Sequence, residues 1–240
     1  MKIWISLTAM LLIGTTVISQ GYVTVKEGTL NSSNNYANMD SYFNMQDGDV
    51  IILNEDTKGS PYLFEDYKLG ALVKDGEMLV SNVALNYNAY NDEFVGKSSL
   101  TAPDSEALKV SKSGEYQIKV GNDTFVALPD VSNGYALQYY QILMVGPKYS
   151  LYKKHGKTYK EKIAATSSLT RDVPAMFKDY STYFVADPDG KMTEVPKSKS
   201  KIVKIFPGKE SEMKSAIKKN RLNTNKETDL IRLIRYYNSL

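Results

Sequence analysis

Through the middle of the chain, apolar residues alternate with polar ones. Over residues 83–90, Val83, Leu85 and Tyr87 fall on one side and Asn86 and Asn88, continuing from Asn82, on the other. That period of two predicts a half-buried antiparallel strand. Residues 115–120 repeat the pattern, with Tyr116, Ile118 and Val120 opposing Glu115, Gln117 and Lys119. Asp75-Gly76, set between 69–74 and 77–80, predicts a two-residue hairpin turn. Gly121-Asn122 predicts a second hairpin into 123–128, and Asp187-Pro188-Asp189-Gly190 a third between 182–186 and 191–195. Shorter runs at 22–26, 50–53, 149–153 and 201–206 also read as strands. Residues 31–44 and 97–105 read as loops, and 159–164 as a short helical or irregular piece.

Residues 135–145 differ in kind, because eleven positions pass without a charge. Tyr135, Leu137, Tyr139, Leu143 and Val145 share one face, and Tyr140, Ile142 and Met144 the other. A strand apolar on both faces belongs in the middle of a covered sheet, or lines an internal cavity. A buried helix is the competing reading, and the tyrosines favour strand. Near the C-terminus the period lengthens. Met213, Ala216 and Ile217 recur at helical spacing over 210–219. Leu230, Leu233, Ile234 and Tyr237 form a stripe on a last helix that Asn223 or Thr224 could cap. Strands first and helices last predict an α+β fold: an antiparallel, Tyr-rich, twisted sheet of hairpins with C-terminal helices packed on one face. The expected organisation is a single α+β domain over 20–240, mainly strands over 20–206 and helical over 207–240.

The first residues change the picture of where this fold works. Met1 and Lys2 give a positive start, 3–18 carry no charge, and Val17 and Ser19 stand where a signal peptidase needs small residues. Residues 1–19 therefore read as a cleaved signal peptide, cut between Ser19 and Gln20. An uncleaved anchor is the alternative, but the run is short for a span of about 20 residues. The expectation is an exported protein of the periplasm or cell envelope, with no transmembrane span after cleavage. The chain has no cysteine, so packing and not disulfides must hold it.

A formal net charge of +3 conceals a strong asymmetry. Residues 20–147 hold 8 Lys and 17 Asp or Glu, whereas 148–240 hold 21 Lys or Arg and 10 Asp or Glu. Either the acidic and basic parts neutralise each other within the fold, or the basic part meets an anionic partner or a second copy. The expected partner is another envelope protein or an anionic envelope component, engaged through the basic C-terminal half. Nucleic acid is not expected, since export removes the usual partners and the basic half has no aromatic-basic motif.

The search for chemistry returns mostly exclusions. Without cysteine there is no thiol nucleophile or thiolate metal site, and His155 is the only histidine. It lies among Lys153, Lys154 and Lys157, and reads as an exposed loop residue. No Gly-x-Ser-x-Gly elbow accompanies it. Ser-x-x-Lys occurs at Ser150, Ser198 and Ser211 without its companion elements. Gly156-Lys157-Thr158 lacks the first glycine of a phosphate loop, and Ser198 stands where a calcium loop starting at Asp187 needs its glutamate. No catalytic, cofactor-binding or metal residue is assigned. One cluster stands out: Asn86, Tyr87, Asn88, Tyr90, Asn91, Asp92, Glu93 and Phe94 crowd amides, carboxylates and rings at a strand end. Such a group can present a sugar- or peptide-binding surface. It can equally be a strand entering an Asx-type turn, with the amides satisfying backbone.

Gly59-Ser60-Pro61-Tyr62-Leu63, the 85–94 segment and the ending Leu230-Ile231-Arg232-Leu233-Ile234-Arg235-Tyr236-Tyr237-Asn238-Ser239-Leu240 resemble a group of uncharacterised exported proteins of Bacteroidota-type bacteria. The resemblance spans most of the chain after residue 19. It implies an envelope setting and carries no activity. The reading that follows is a non-enzymatic binding or scaffolding protein of the cell envelope. Two alternatives stand beside it. One is a carrier of an apolar ligand such as a lipid, should 135–145 line a cavity. The other is a carboxylate-based hydrolase of envelope glycans with Asp92 and Glu93 as first candidates. Neighbouring strand residues point to opposite faces, so that pair needs a bulge to share a site.

Overall fold

The structure is a computed structural model, and it describes residues 39–47, 56–130, 133–165 and 171–240. The signal segment 1–19 and the expected strands 22–26 and 50–53 lie outside the described residues.

A short helix α1 (Met39–Tyr42) leads into strand β1 (Phe43–Asp47), inside the tract that composition alone marks as loop. Phe43 explains the difference: it pairs with Val110 and is buried in the core. Strands β2 (Lys68–Lys74) and β3 (Glu77–Asn88) form the first expected hairpin. Its turn places Asp75 at φ 51° and Gly76 at φ 85°, the left-handed pair that a two-residue turn demands. The expected break between 80 and 83 is absent. β3 runs through, because Asn82 takes φ 57° and absorbs a bulge where the β2 register shifts.

Strands β4 (Glu93–Lys97), β5 (Leu108–Val110), β6 (Gln117–Val120), β7 (Asp123–Asp130) and β8 (Ala136–Met144) follow. After them come β9 (Ser150–Lys160), β10 (Met176–Ala186) and β11 (Met192–Glu194). All join one eleven-stranded sheet in the order β1-β5-β4-β3-β2-β6-β7-β8-β9-β10-β11, each neighbouring pair antiparallel. β2 to β5 meander outward in one direction. The chain then returns to the free side of β2, and β6 to β11 meander in the other.

Two contacts show that the sheet curls. The Lys157 amide donates to the Ala89 carbonyl at 3.1 Å, although four strands separate β9 from β3 in the sheet order. The crossing segment at 58–64 spans the same gap. The Leu63 amide donates to the Tyr87 carbonyl at 2.8 Å and the Ala89 amide to the Pro61 carbonyl at 2.9 Å. Lys58 bridges Ala175 and Phe177 at 2.9 Å each. The Gly59–Leu63 stretch is thus a seam in the fold.

Two hydrophobic cores use this sheet. Leu72, Val83, Leu85, Tyr87, Phe94, Ile118, Phe125 and Tyr139 fill the first, with the β3 and β6 alternation as expected. Leu151, Val185 and Val195 meet the helices in the second. β8 passes from one to the other: Leu137 and Tyr139 pack in the first core, Leu143 and Met144 against the second. Tyr139 and Tyr140, on opposite faces, are both buried, which is the two-sided burial its charge-free sequence predicts.

The helical end begins earlier than expected. Residues 201–206 form no strand; α2 (Lys199–Ile202) and a 3₁₀ turn (Val203–Ile205) occupy them. The β-branched run is misleading there. Ile202 and Phe206, one helical turn apart, are both fully buried in the second core, and tertiary packing decides the conformation. Helices α3 (Glu210–Lys219) and α4 (Glu227–Ser239) bury the predicted stripes. Glu210 and Glu212 open α3 and Lys218 and Lys219 close it, in the sense that favours the helix dipole. Neither Asn223 nor Thr224 caps α4. Its N-cap position is Lys226, while the Asn223 carbonyl accepts the Lys226 amide in the turn before it. The segment 159–164 is strand as far as Lys160, paired with Met176. None of the described helices is long and apolar enough to cross a membrane.

Candidate functional site

The Asn86–Phe94 segment is where amides, carboxylates and rings concentrate, and the structure accounts for each polar group. Asn86 is buried beneath the crossing segment. Its Nδ2 donates to the Phe64 carbonyl at 3.1 Å and its Oδ1 accepts the Phe64 amide at 3.3 Å, so the side chain stands in for a strand. Asn88 Oδ1 accepts the amides of Tyr90 and Asn91, both at 3.1 Å, which is the Asx turn that the sequence allows. The face bearing Asn86 and Asn88 is therefore buried too, and β3 is covered on both faces at this end.

Asp92 takes φ 58° in the turn before β4 and aims its carboxylate inward. Oδ1 accepts the Tyr87 hydroxyl at 2.6 Å and the Tyr139 amide at 3.1 Å, while Oδ2 meets Lys112 Nζ at 2.6 Å. The same ammonium lies 4.9 Å from the centroid of the Tyr139 ring. Burial, then the adjacent Asp92 charge, pushes the Tyr87 hydroxyl far above the ordinary phenol range, so it serves as a donor and not as an acid. Burial raises Tyr139 as well, and its hydroxyl has no hydrogen-bond partner among the described residues. Around these groups Tyr87, Phe94, Phe125 and Tyr139 stack with centroids 4.8–6.0 Å apart. Glu93 is bound separately by Lys109 at 3.1 Å. Asp92 and Glu93 thus hold different lysines, and neither is left as a free acid or base.

His155 lies within β9, half-buried, and not in an exposed loop. The lysine-rich sequence around it reads as solvent-facing, because Lys153 and Lys157 extend to Glu227 at 2.8 Å and Asp179 at 3.2 Å. His155 Nε2 lies 2.6 Å from Gln141 Oε1, and Gln141 Nε2 donates to Asp123 Oδ1 at 2.8 Å. Because the Gln141 amide nitrogen is committed to Asp123, its oxygen accepts, and His155 carries its proton on Nε2. Desolvation, assisted by Lys153, lowers the imidazole pKa to about 4, so the ring is neutral near pH 7 with Nδ1 unprotonated.

This histidine lines a cleft of about 210 Å³ with Leu63, Ala89, Lys153, Asp179 and Ser181. One of those six residues is a carboxylate, so the arrangement lacks the paired acids of a glycosidase. A second, open groove of about 340 Å³ lies along α3 and α4, where Ser211, Glu212, Lys219 and Tyr236 border it. Gly156-Lys157-Thr158 runs inside β9, away from any strand-to-helix turn. Asp187 Oδ1 accepts the amides of Asp189 and Lys191, at 3.1 and 2.9 Å, as a hairpin turn does.

The Tyr-Tyr-Asn ending has a structural role. Tyr237 packs 4.8 Å from the Phe206 ring and 4.9 Å from that of Tyr149. Asn238 Oδ1 accepts the amides of Lys148 and Tyr149, and its Nδ2 donates to the Tyr149 carbonyl. One side chain thereby fastens α4 to the β8–β9 turn.

No protein family, curated protein or solved structure matches the chain. Fold and site geometry define its class: an α+β protein whose curled antiparallel sheet carries a basic helical layer on one face.

Proposed function

We propose that the protein is a non-enzymatic binding or scaffolding protein of the cell envelope, exported by its first 19 residues, and that its helical end is the contact surface. The observation that carries this reading is the distribution of charge over α2, α3 and α4. From Lys197 to the C-terminus the chain holds 12 Lys or Arg and four Asp or Glu. The apolar stripes dock on the sheet and turn the cations outward. Lys199, Lys201, Lys214, Lys218, Lys219 and Arg235 are all exposed and pair with no carboxylate among the described residues. Across the two halves of the chain, one ion pair between described residues, Lys154–Asp130 at 3.3 Å, offsets the asymmetry. A like-charged face of this kind favours association with an anionic surface and sets its rate and salt dependence.

The two first candidates for carboxylate chemistry are engaged with lysines, which favours the non-enzymatic reading: Asp92 and Glu93 hold Lys112 and Lys109, and Tyr87 holds Asp92. Tyr139 of the charge-free strand packs into the ring cluster and Tyr140 against Phe184 at 5.3 Å, which favours the scaffolding reading over a lipid carrier.

The test is cross-linking of tagged protein in cells, comparing the full chain with a Lys214→Glu, Lys218→Glu, Lys219→Glu variant. Deleting the helices would be uninformative, because they form the second core. Envelope proteins or anionic glycolipids captured by the parent and lost from the folded variant are the expected result. Identical capture by both would refute the assignment of the surface.

A further inference from the structure

The cleft at His155 belongs to a different part of the molecule from the basic helical face, and its chemistry is different. Lys153 and Lys157 are each matched by a carboxylate, Glu227 and Asp179, so the cleft has no surplus charge to select an anion. Its walls carry too many polar groups for a lipid. An extended peptide would need a long free strand edge, whereas β9 pairs with β10 along its whole length and its other edge holds β8 at 151–153 and Ala89 at Lys157.

What remains is a small space with donors and acceptors side by side. Ser181 and His155 are cross-strand partners, so their side chains share one face. Gln141 holds the imidazole by Nε2, leaving Nδ1 as an acceptor, while Ser181 supplies a hydroxyl and Lys153 its remaining protons. The cleft, about 210 Å³, is small and suits one small polyol ring.

Tyr180 lines the cleft, and further rings stand next to its wall residues Ala89 and Asp179. Tyr90 follows Ala89, whose carbonyl is fixed to β9 by Lys157, and packs 5.6 Å from Phe177. Tyr159 packs 5.0 Å from the same ring. Tyr90 is 45% exposed, Tyr159 37% and Tyr180 52%, which are high values for rings, so these faces are available to a ligand. The Tyr180 ring lies over its cross-strand partner Gly156, where a Cβ would strike it. A ring platform beside directional hydrogen-bonding groups matches the two surfaces of a sugar, its apolar C–H face and its hydroxyl edge.

We propose that this cleft, lined by His155, Tyr180 and Ser181 with Tyr90 next to its wall residue Ala89, binds one pyranose unit of an uncharged glycan. The protein would then hold a glycan on its curled sheet independently of whatever its helical face meets.

The experiment is a titration of the ¹⁵N-labelled protein, from Gln20 onward, with neutral oligosaccharides of glucose, galactose, mannose and N-acetylglucosamine. Amide and imidazole resonances are followed by NMR. At least one series should give saturable shifts centred on Ala89, His155 and Ser181. Tyr90→Ala, at an exposed position, should weaken that binding about three- to tenfold by removing one stacking partner. Ser181→Phe should abolish it by filling the cleft, and circular dichroism checks that both variants fold. The Lys214→Glu, Lys218→Glu, Lys219→Glu variant should bind sugar like the parent, which separates this site from the helical one. Absence of saturable shifts at the cleft with all four series would overturn the proposal. So would binding that Tyr90→Ala leaves unchanged.

Discussion

Asp92 is the residue whose replacement tests the account of the first core most sharply. Its carboxylate accepts two hydrogen bonds, from Tyr87 and Tyr139, and pairs with Lys112, all in a turn where its own φ is 58°. The Asp92 side chain is 16% exposed and that of Lys112 26%, so water screens the pair only in part. Hydrogen bonds to a charged group contribute about 1.5–3 kcal/mol each when buried, and the left-handed backbone costs a residue with a Cβ about 1–2 kcal/mol. Three substitutions separate these contributions. Asp92→Asn keeps an acceptor for Tyr87 and Tyr139 and tolerates the backbone, but loses the charge facing Lys112; about 1–2 kcal/mol should be lost. Asp92→Ala removes every contact, leaves the Tyr87 hydroxyl buried without a partner, and adds backbone strain; about 4 kcal/mol is expected. Asp92→Gly makes the same deletions but relieves the backbone, so it should fall about 1 kcal/mol short of the alanine variant. Urea unfolding followed by far-UV circular dichroism reads all three, and the slopes should agree if the native compactness is kept. An alanine variant within about 1 kcal/mol of the parent would refute the claim that Asp92 organises this core.

Other consequences are as direct. Tyr87→Phe should destabilise by about 1–2 kcal/mol, whereas Tyr139→Phe should stabilise by about 1 kcal/mol because it deletes a buried hydroxyl without a partner; thermal unfolding distinguishes the signs. Gly146→Ala would place a Cβ against Asn238 and the Tyr149 carbonyl, at a cost of about 2 kcal/mol; with Asn238→Ala added, the double variant should lose less than the sum of the singles. His155 has its folded pKa lowered to about 4 against about 6.5 unfolded, so between those values the unfolded chain binds more protons. The stability due to the neutral ring is therefore complete above about pH 6.5 and falls as pH drops toward 4, by at most about 3 kcal/mol. His155→Gln should flatten that part of the denaturation profile, and an unchanged profile would place the histidine in water.

Most of the strands were legible because alternation and turn chemistry agree. Asp75-Gly76 can hardly do anything else between two apolar runs, and Val83, Leu85 and Tyr87 announce an inward face. The apolar stripes of α3 and α4 were equally clear. Failures came where a distant segment decided the outcome. Residues 201–206 read as strand from their branched side chains, yet Ile202 and Phe206 bury together only on a helix. Phe43 lies in a tract of Asn and Ser that by itself is loop, and its order comes from Val110. The asparagine face of β3 looked solvated because nothing local announces that residues 58–64 will cross it. His155 was obscured by lysines whose partners, Glu227 and Asp179, lie 74 and 22 positions away, and Gln141 and Asp123 gave no sequence signal that they would meet it.

The same long-range closures explain why the stretches that carry the resemblance are not chemical motifs. Gly59–Leu63 supplies the backbone that seals the curled sheet, Asn86 satisfies the Phe64 backbone just after it, Asn88 closes the Asx turn onto Tyr90 and Asn91, and Asn238 fastens the last helix to the β8–β9 turn. An eleven-stranded sheet without disulfides has its weakest points where non-neighbouring strands must meet, since those contacts close long loops before they are repaid by packing. Amides are well suited to such points, because one side chain offers both a donor and an acceptor in the geometry of a peptide group. Polar residues at a strand end therefore look like a binding surface in the sequence and act as fasteners in the fold. The surfaces left for a partner are the outward cations of the helices, which no closure uses, and the cleft at His155, which the seam itself walls with Leu63 and Ala89.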